Sequence, residues 1–398
     1  MGGTTQRGHI ALNLIFLVPG ETGGMEVAAR ELIPALVAAA PEVRFTAFVN
    51  RETAAANDGP WGELLPAVTV PVNARNRVQW VRGEQTLLPR LAAARRVDLL
   101  HSLASTAPTW GRFRRVVTVH DLIYARFPEA HAGVRDLGMR VLVPLAVRRS
   151  HRVIAISQST QRDLTELLHT PAEKIDVVPQ GLHAPDPETT PSAGETRAHF
   201  DLGERRVLLT LSAKRPHKNL MALIDALALI PVERRPLLVL PGYPTAHEQE
   251  LRERALAAGV ADDVRFPGWV PSDLIEGLWE VAEAFVYPSL YEGFGLPVLE
   301  AMTRGVPVAC SNASSLPEVA GDAALMFDPH DPRAIAQALE LLLSDSAEAQ
   351  RLRERGLARA RLFSWERTAQ ATLASYRRTL GPGASVAAKP MHDDGGDP

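Results

Sequence analysis

The sequence predicts an α/β protein made of two successive parallel sheets, and three observations lead there. Its 398 residues are more than one hydrophobic core usually serves, so two domains are expected. Short apolar runs alternate with longer stretches of helical period, which is the pattern of βαβ units. The alternation stops once, near residue 183, in a stretch rich in Pro, Thr, Ser and Glu, and then restarts.

The elements follow in order. Strands are predicted at 10–18, 44–49, 67–71, 97–101, 115–119, 152–156 and 175–179, with Ala-, Leu- and Arg-rich helical segments between most of them. Residues 183–200, within "HAPDPETTPSAGETRAHFDLG", read as a linker. Strands resume at 206–212, 236–240, 263–267, 284–288, 307–311 and 324–327, and a long helical stretch covers 333–380. This reads as two Rossmann-like domains, 1–182 and 183–362, forming a two-lobed molecule with a cleft. Open parallel sheets bind ligands beyond the carboxyl ends of their strands, so that is where motifs should gather. The Gly-, Pro- and Asp-rich segment 381–398 is expected to be disordered.

Composition narrows the partners. Apolar residues make up 46% and charged residues 22%, ordinary values for a soluble globular chain, and the net charge of -3 implies no nucleic acid. Residues 1–180 carry 21 Lys and Arg against 16 Asp and Glu, a net +5, which leaves -8 for the rest. That asymmetry reads as ordinary surface scatter or as contact with an anionic lipid or acceptor. Cys310 is the single cysteine, so no disulfide forms within the chain. With no secretion signal and no apolar run near 18 residues, a cytoplasmic setting is expected.

The most informative stretch is "LYEGFGLPVLEAM", 290–302. A strand ends at Pro288, Gly293 and Gly295 permit a tight turn, and Pro297 opens a helix closed by Gly305. Exposed amides at such a helix start make an anion site. Glu292 and Glu300 flank it, and carboxylates accept hydrogen bonds from hydroxyls. A ligand with phosphate in the middle and hydroxyls at both ends, a nucleotide-sugar, fits this order. The structural alternative at this point is that Glu292 caps the turn and Glu300 is solvated.

Lysine is scarce: Lys174, Lys214, Lys218 and Lys389 stand against 39 arginines. Lys214 and Lys218 both fall in "LLTLSAKRPHKNLMALIDAL", a strand, loop and helix. A cation at a helix start opposes the helix dipole, so a structural reason for Lys218 is hard to find. A fixed cation there would stabilise charge developing on a leaving diphosphate. In the first half, Gly20, Gly23 and Gly24 lie between a strand and a helix, and "RRVVTVHDLIY" sets His120 and Asp121 at a strand's carboxyl end. Ser157 in "VIAISQST" has the position of a helix N-cap. No strand-associated Asp-x-Asp occurs, so neither a metal nor another cofactor is expected.

Residues 285–327, together with the glycine loop, the His-Asp pair, "VIAISQST", "VVPQGL" and "RPHKN", strongly resemble the retaining GT-B glycosyltransferases grouped as family 4, marked by Glu-x7-Glu. The resemblance implies a helix, 363–380, crossing back to the first lobe. It implies that Glu300 binds the ribose hydroxyls and Glu292 contacts the donor sugar. Amides of Phe294, Gly295 and Leu296 would hold the diphosphate or sugar. Lys218 would meet the phosphates together with Lys214 or Arg215, of which Arg215 is favoured. His120, with Asp121, would face the donor sugar, Gly23 and Gly24 would approach the donor phosphate or the acceptor, and backbone around Trp269 and Val270 would hold the base. The implied reaction is metal-independent, retaining transfer of a hexose to an acceptor hydroxyl, in the style of cell-surface polysaccharide enzymes. GDP-mannose is the favoured donor, a lipid-linked saccharide a fitting acceptor, and peripheral contact with the membrane surface fits that role. Two rivals from other classes are a sugar-nucleotide epimerase or phosphorylase of this architecture and a catalytically silent partner subunit.

Overall fold

A computed structural model describes residues 8–127, 134–182 and 190–381. All thirteen strands expected from the apolar runs are present. In the first half they are β1 (His9–Leu14), β2 (Arg44–Val49), β3 (Ala67–Thr69), β4 (Leu99–Ser102), β5 (Arg114–Val119), β6 (Arg152–Ala155) and β7 (Ile175–Val177). In the second they are β8 (Val207–Leu209), β9 (Leu237–Pro241), β10 (Val264–Gly268), β11 (Ala282–Tyr287), β12 (Val308–Ser311) and β13 (Ala324–Phe327). They form a seven-stranded sheet of order β3-β2-β1-β4-β5-β6-β7 and a six-stranded sheet of order β10-β9-β8-β11-β12-β13. The strand pairs are parallel. Helices cover both faces, which is why a strand such as β1 is buried at all six positions and reads as a continuous apolar run.

Each sheet reverses its winding once, between β1 and β4 in the first and between β8 and β11 in the second. At such a point the connections leave in opposite directions and a notch opens at the carboxyl edge. The functional candidates concentrate at these two reversals.

The chain divides into two units. Arg126, Phe127 and Leu182–Phe363 fall in the second, and the described residues before and after those stretches fall in the first. The sequence reading took 1–182 as uninterrupted; Phe127 departs from it because its ring packs 6.0 Å from that of Tyr291 and 6.4 Å from that of His217. One further expectation needs correction. The linker over 183–200 ends early, because Ala193–His199 is a helix opened by a reciprocal capping box between Ser192 and Glu195. The helical stretch 333–380 is three helices, Pro332–Ser344, Ser346–Ala360 and Trp365–Leu380, the last two started by the side chains of Asp345 and Ser364. The disorder expected over 381–398 falls, after Gly381, outside the described residues.

Trp365–Leu380 belongs to the first unit and packs along helix Gly24–Ala39. Trp365, Ala369, Leu373 and Tyr376 enter that unit's core. The chain approaches so closely at Gly181 that a Cβ there would stand 2.3 Å from the Trp365 amide nitrogen. Deeper in, the Tyr376 hydroxyl lies 2.6 Å from His101 Nδ1, whose other nitrogen lies 2.8 Å from Thr118 Oγ1. All three residues are buried. Tyr376→Phe leaves the imidazole without that partner in the core. We expect a loss of about 1–3 kcal/mol, read as a lower urea midpoint for the first unit; an unchanged midpoint would show that the contact does not anchor the helix.

Candidate active site

In the second unit, the segment after β8 makes a short 3-10 turn, Pro216–Lys218, and enters helix Leu220–Leu229. Asn219 between them takes a left-handed conformation, φ 58°. Its side-chain amide donates to the carbonyls of Pro288 at 3.1 Å and Pro329 at 2.7 Å, tying this turn to the end of β11. Lys218 is thereby brought to the other side of the reversal. Its Nζ lies 2.6 Å from Glu292 Oε1 and 3.1 Å from the Tyr287 hydroxyl, with both charged side chains largely buried. Burial alone would pull the Lys218 ammonium down, but Glu292 and Tyr287 outweigh it and hold it above its ordinary range. Burial pushes Glu292 up and Lys218 outweighs that too, leaving the carboxyl below its ordinary value. The pair is therefore ionised.

Beyond Glu292 the chain turns into helix Leu296–Thr303. Gly295 has φ 115°, and a Cβ there would meet Leu316 Cδ2 at 2.6 Å, so only glycine suits. Among the described residues no protein acceptor meets the amides of Phe294, Gly295 and Leu296. Three serines, one ending β12 and two just after it, shape this loop. Ser314 Oγ accepts from the Glu292 amide at 2.8 Å, Ser315 Oγ donates to the carbonyls of Glu292 and Phe294 at 3.0 and 2.6 Å, and Ser311 Oγ donates to that of Ser289 at 2.6 Å. Local sequence pattern assigns them no such role. The signal was a run rich in hydroxyls, "SNASS", at the end of a strand.

Glu300 lies one turn into the helix. Its neighbour Arg304 is turned to Glu276, with Nε 2.8 Å from that carboxylate. Among the described residues the Glu300 carboxylate has no hydrogen-bonding partner, and burial, opposed by Arg304, raises it. The arrangement thus holds an ion pair, three amides and a second carboxylate in succession, a set suited to phosphate flanked by hydroxyls.

The two cations left open by the sequence now differ. Lys214 is buried; its Nζ donates to the Gly242 carbonyl at 2.7 Å and stands 3.9 Å from Glu248 Oε2. Arg215 is exposed, with no ion pair among the described residues. The donor role given to Lys214 is thus unsupported, because a structural job consumes its ammonium. Val270 is buried, whereas Trp269 is 57% exposed, its ring 6.4 Å from that of Tyr243. Asp263, of the "DD" at 262–263, pairs with Arg205 and Arg235.

In the first unit, His120 follows β5. Its Nε2 lies 2.8 Å from the Leu103 carbonyl, which makes that nitrogen the N–H donor, and Gln180 Nε2 stands 3.4 Å from Nδ1. Burial lowers the imidazole, outweighing Leu103 and Asp121, so it is held neutral. Asp121 accepts from the Ile123 amide at 3.0 Å and starts the short helix Ile123–Arg126. Ser157 caps helix Gln158–Leu168 through the Thr160 amide. In the glycine loop, Gly20 and Gly23 have φ 75° and 68°, and the Gly20 amide is taken by Glu26 Oε2 at 2.9 Å. A Cβ at Gly23 or Gly24 would meet nothing within 4 Å, so the loop borders open space there. No cluster of three or more His, Cys, Asp and Glu able to hold a metal occurs among the described residues, and no helix among them is long and apolar enough to cross a membrane.

Comparison with known proteins gives the family of the chain. The profile described as Glycosyltransferase Family 4 matches residues 22–184, and that described as Glycosyl transferases group 1 matches 194–359. The O-antigen chain mannosyltransferase B of Escherichia coli is 33% identical over 268 residues, 66% of this chain and 70% of that one. The chain belongs to glycosyltransferase family 4. It is a glycosyltransferase, and its two sheets are those of the GT-B fold. A second family member, the serotype-specific mannosyltransferase WbdA of Escherichia coli, is 31% identical over 290 residues, 67% of this chain but only 34% of WbdA, so the chain spans about a third of that relative. In fold, the chain is similar to Anabaena HepE, solved in complex with UDP and glucose, with a TM-score of 0.70 at 20% identity, covering 93% of this chain and 99% of HepE.

Two outcomes test this geometry. Gly295→Ala forces a side chain into a left-handed position against Leu316, so the loop must shift and ligand affinity at the amides should fall at least tenfold by calorimetry; unchanged affinity would remove the amides from the site. The second concerns Lys214, whose ammonium burial pulls down from 10.5 to about 8. The folded chain therefore binds fewer protons between those values, and stability rises as pH climbs through that window. Wild type should gain on Lys214→Met between pH 8 and 10 in urea denaturation; a constant difference would mean that Lys214 titrates normally.

Proposed function

We propose that this glycosyltransferase moves mannose from a nucleoside-diphosphate sugar, GDP-mannose, to a saccharide hydroxyl, retaining the anomeric configuration and needing no metal. The observation that carries the reading is the ionised Lys218–Glu292 pair beside three unengaged amides at the sheet reversal. The diphosphate would lie on the amides of Phe294, Gly295 and Leu296. The ribose hydroxyls would donate to Glu300. The base would continue towards Val270 and the exposed Trp269 ring, since Arg304 donates both to the Glu300 main-chain carbonyl and to Glu276, in the helix Ser272–Val281 that follows Val270. The names of the Escherichia coli relatives support mannose as the sugar and cell-surface polysaccharide as the setting, and the ligands of HepE support a nucleotide-sugar donor.

In the step itself the acceptor oxygen bonds the anomeric carbon as the sugar–phosphate bond breaks on the same face. The acceptor proton passes to the departing phosphate oxygen. Lys218, with Arg215, offsets the charge that grows there, the task a divalent metal performs elsewhere. Glu292 keeps one oxygen on Lys218, which suits a carboxylate that orients cation and sugar better than one attacking carbon. His120, neutral and held by its Nε2–H, suits shaping of the sugar site better than proton transfer.

A thermal-shift panel of nucleotides and nucleotide-sugars tests the donor. GDP and GDP-mannose should raise the midpoint of the wild type, and Glu300→Ala should cut the rise by more than half. No shift with any nucleotide would defeat the reading, and equal shifts in both proteins would remove Glu300 from the ribose. Proton NMR of the first product tests the course: the α-anomeric signal should appear, and a β-anomer would contradict retention.

A further inference from the structure

The first sheet's reversal holds a buried acid that the proposed mechanism does not use. Residues Arg77–Ala94 run as one helical stretch interrupted by a π turn over Gly83–Leu87. The turn lies against Val72, and a Cβ on Gly83 would stand 2.7 Å from Val72 Cγ1. A π turn re-aims the residues it carries and is often found at functional sites. Here it carries Glu84, which is 1% exposed.

Both longer-range bonds of that carboxyl fall on one oxygen. Glu84 Oε1 accepts from Asn13 Nδ2, at the end of β1, at 3.1 Å, and from Thr106 Oγ1, in the loop after β4, at 3.0 Å. Among the described residues, Oε2 meets only the adjacent Gln85, at 3.3 Å. Gln85 in turn binds the same loop, through the Ala107 carbonyl at 3.0 Å and the Thr109 amide at 3.1 Å. The loop's other side holds His120: the Leu103 carbonyl takes its Nε2–H, and Ser105 Oγ lies 3.4 Å from its amide nitrogen. The π turn grips the loop at 106–109, and the loop holds the imidazole at Leu103 and the His120 backbone at Ser105.

We propose that Glu84 is a positioning residue for His120, setting the tautomer and tilt of that ring through the loop 103–107. Its partners Asn13, Thr106 and Gln85 are uncharged, and burial pushes its carboxyl up to about 7, so Oε1 serves as an acceptor whether or not the group is ionised. A buried carboxyl bound to neutral donors is costly to keep, which argues for a task beyond filling space. The proposal rests on the assignment of His120 to the sugar site only for its effect on turnover.

The test uses the full chain carrying labelled histidine, with the His120 ring signals assigned by their loss in His120→Asn. Glu84→Ala should move the His120 Nε2 signal and lower kcat at least tenfold, with nucleoside diphosphate affinity within twofold of wild type. Glu84→Gln keeps an acceptor where Oε1 stood and should restore the signal, with kcat within about threefold. If Glu84→Ala does not fold, Glu84→Asp, one methylene short of Thr106, takes its place. An unmoved His120 signal in folded Glu84→Ala, or an equal displacement in Glu84→Gln, overturns the proposal. A moved signal with unchanged kcat supports the coupling and overturns the catalytic placement of His120 instead.

Discussion

The ion pair between Lys218 and Glu292 is the contact around which the second unit's site is built. Two largely buried charges are costly to hold apart from water, and removing one partner from such a pair typically costs about 3–5 kcal/mol. The fold meets that cost only because two loops from opposite sides of a sheet reversal are clamped together. Asn219 bonds the first loop to the end of β11, and the serines after β12 bond the second from the other flank. With both loops fixed, Lys218 stays charged, Glu292 stays charged, and the amides at 294–296 lie beside them. Under the proposed function, these fixed groups would be pre-organised for an anion.

The two reversals share geometry and differ in chemistry. At β8 and β11 the chain places an ionised pair. At β1 and β4 it places Asn13, Ser102 and Glu84 in a neutral-partner network, with Asn13 Nδ2 also 3.0 Å from Ser102 Oγ. A charged notch suits phosphate, whereas a network of uncharged donors suits holding a loop in one shape. His120 and His101 are both kept neutral by burial, the latter pulled down to about 3, so the first unit offers fixed hydrogen bonds in place of charge.

Much of this was legible in the residues. The strands were, because strands buried on both faces are continuous apolar runs, and so was the turn after β11, because Gly293, Gly295 and Pro297 can hardly be read except as a turn feeding a helix. What escaped depends on where side chains point. Nothing in "SAKRPHK" says that Lys214 turns inward to Gly242 while Arg215 faces solvent. Ser192 and Glu195 lie in a stretch whose composition reads as linker, yet their spacing is that of a capping box, and the local bond prevailed over composition. Ser311, Ser314 and Ser315 act on backbone atoms far away in sequence, a relation no local pattern reveals. Glu84 was invisible for the same reason: its partners come from β1 and from the loop after β4.

The central claim is that Lys218 meets the phosphate that leaves with the nucleotide. Calorimetry with GMP and GDP on wild type and Lys218→Met tests it most directly. The account predicts that the β-phosphate improves affinity at least tenfold in wild type and that this advantage collapses in the variant while GMP affinity holds. Equal affinities for GMP and GDP in wild type, or an advantage that survives the loss of the ammonium, would contradict it.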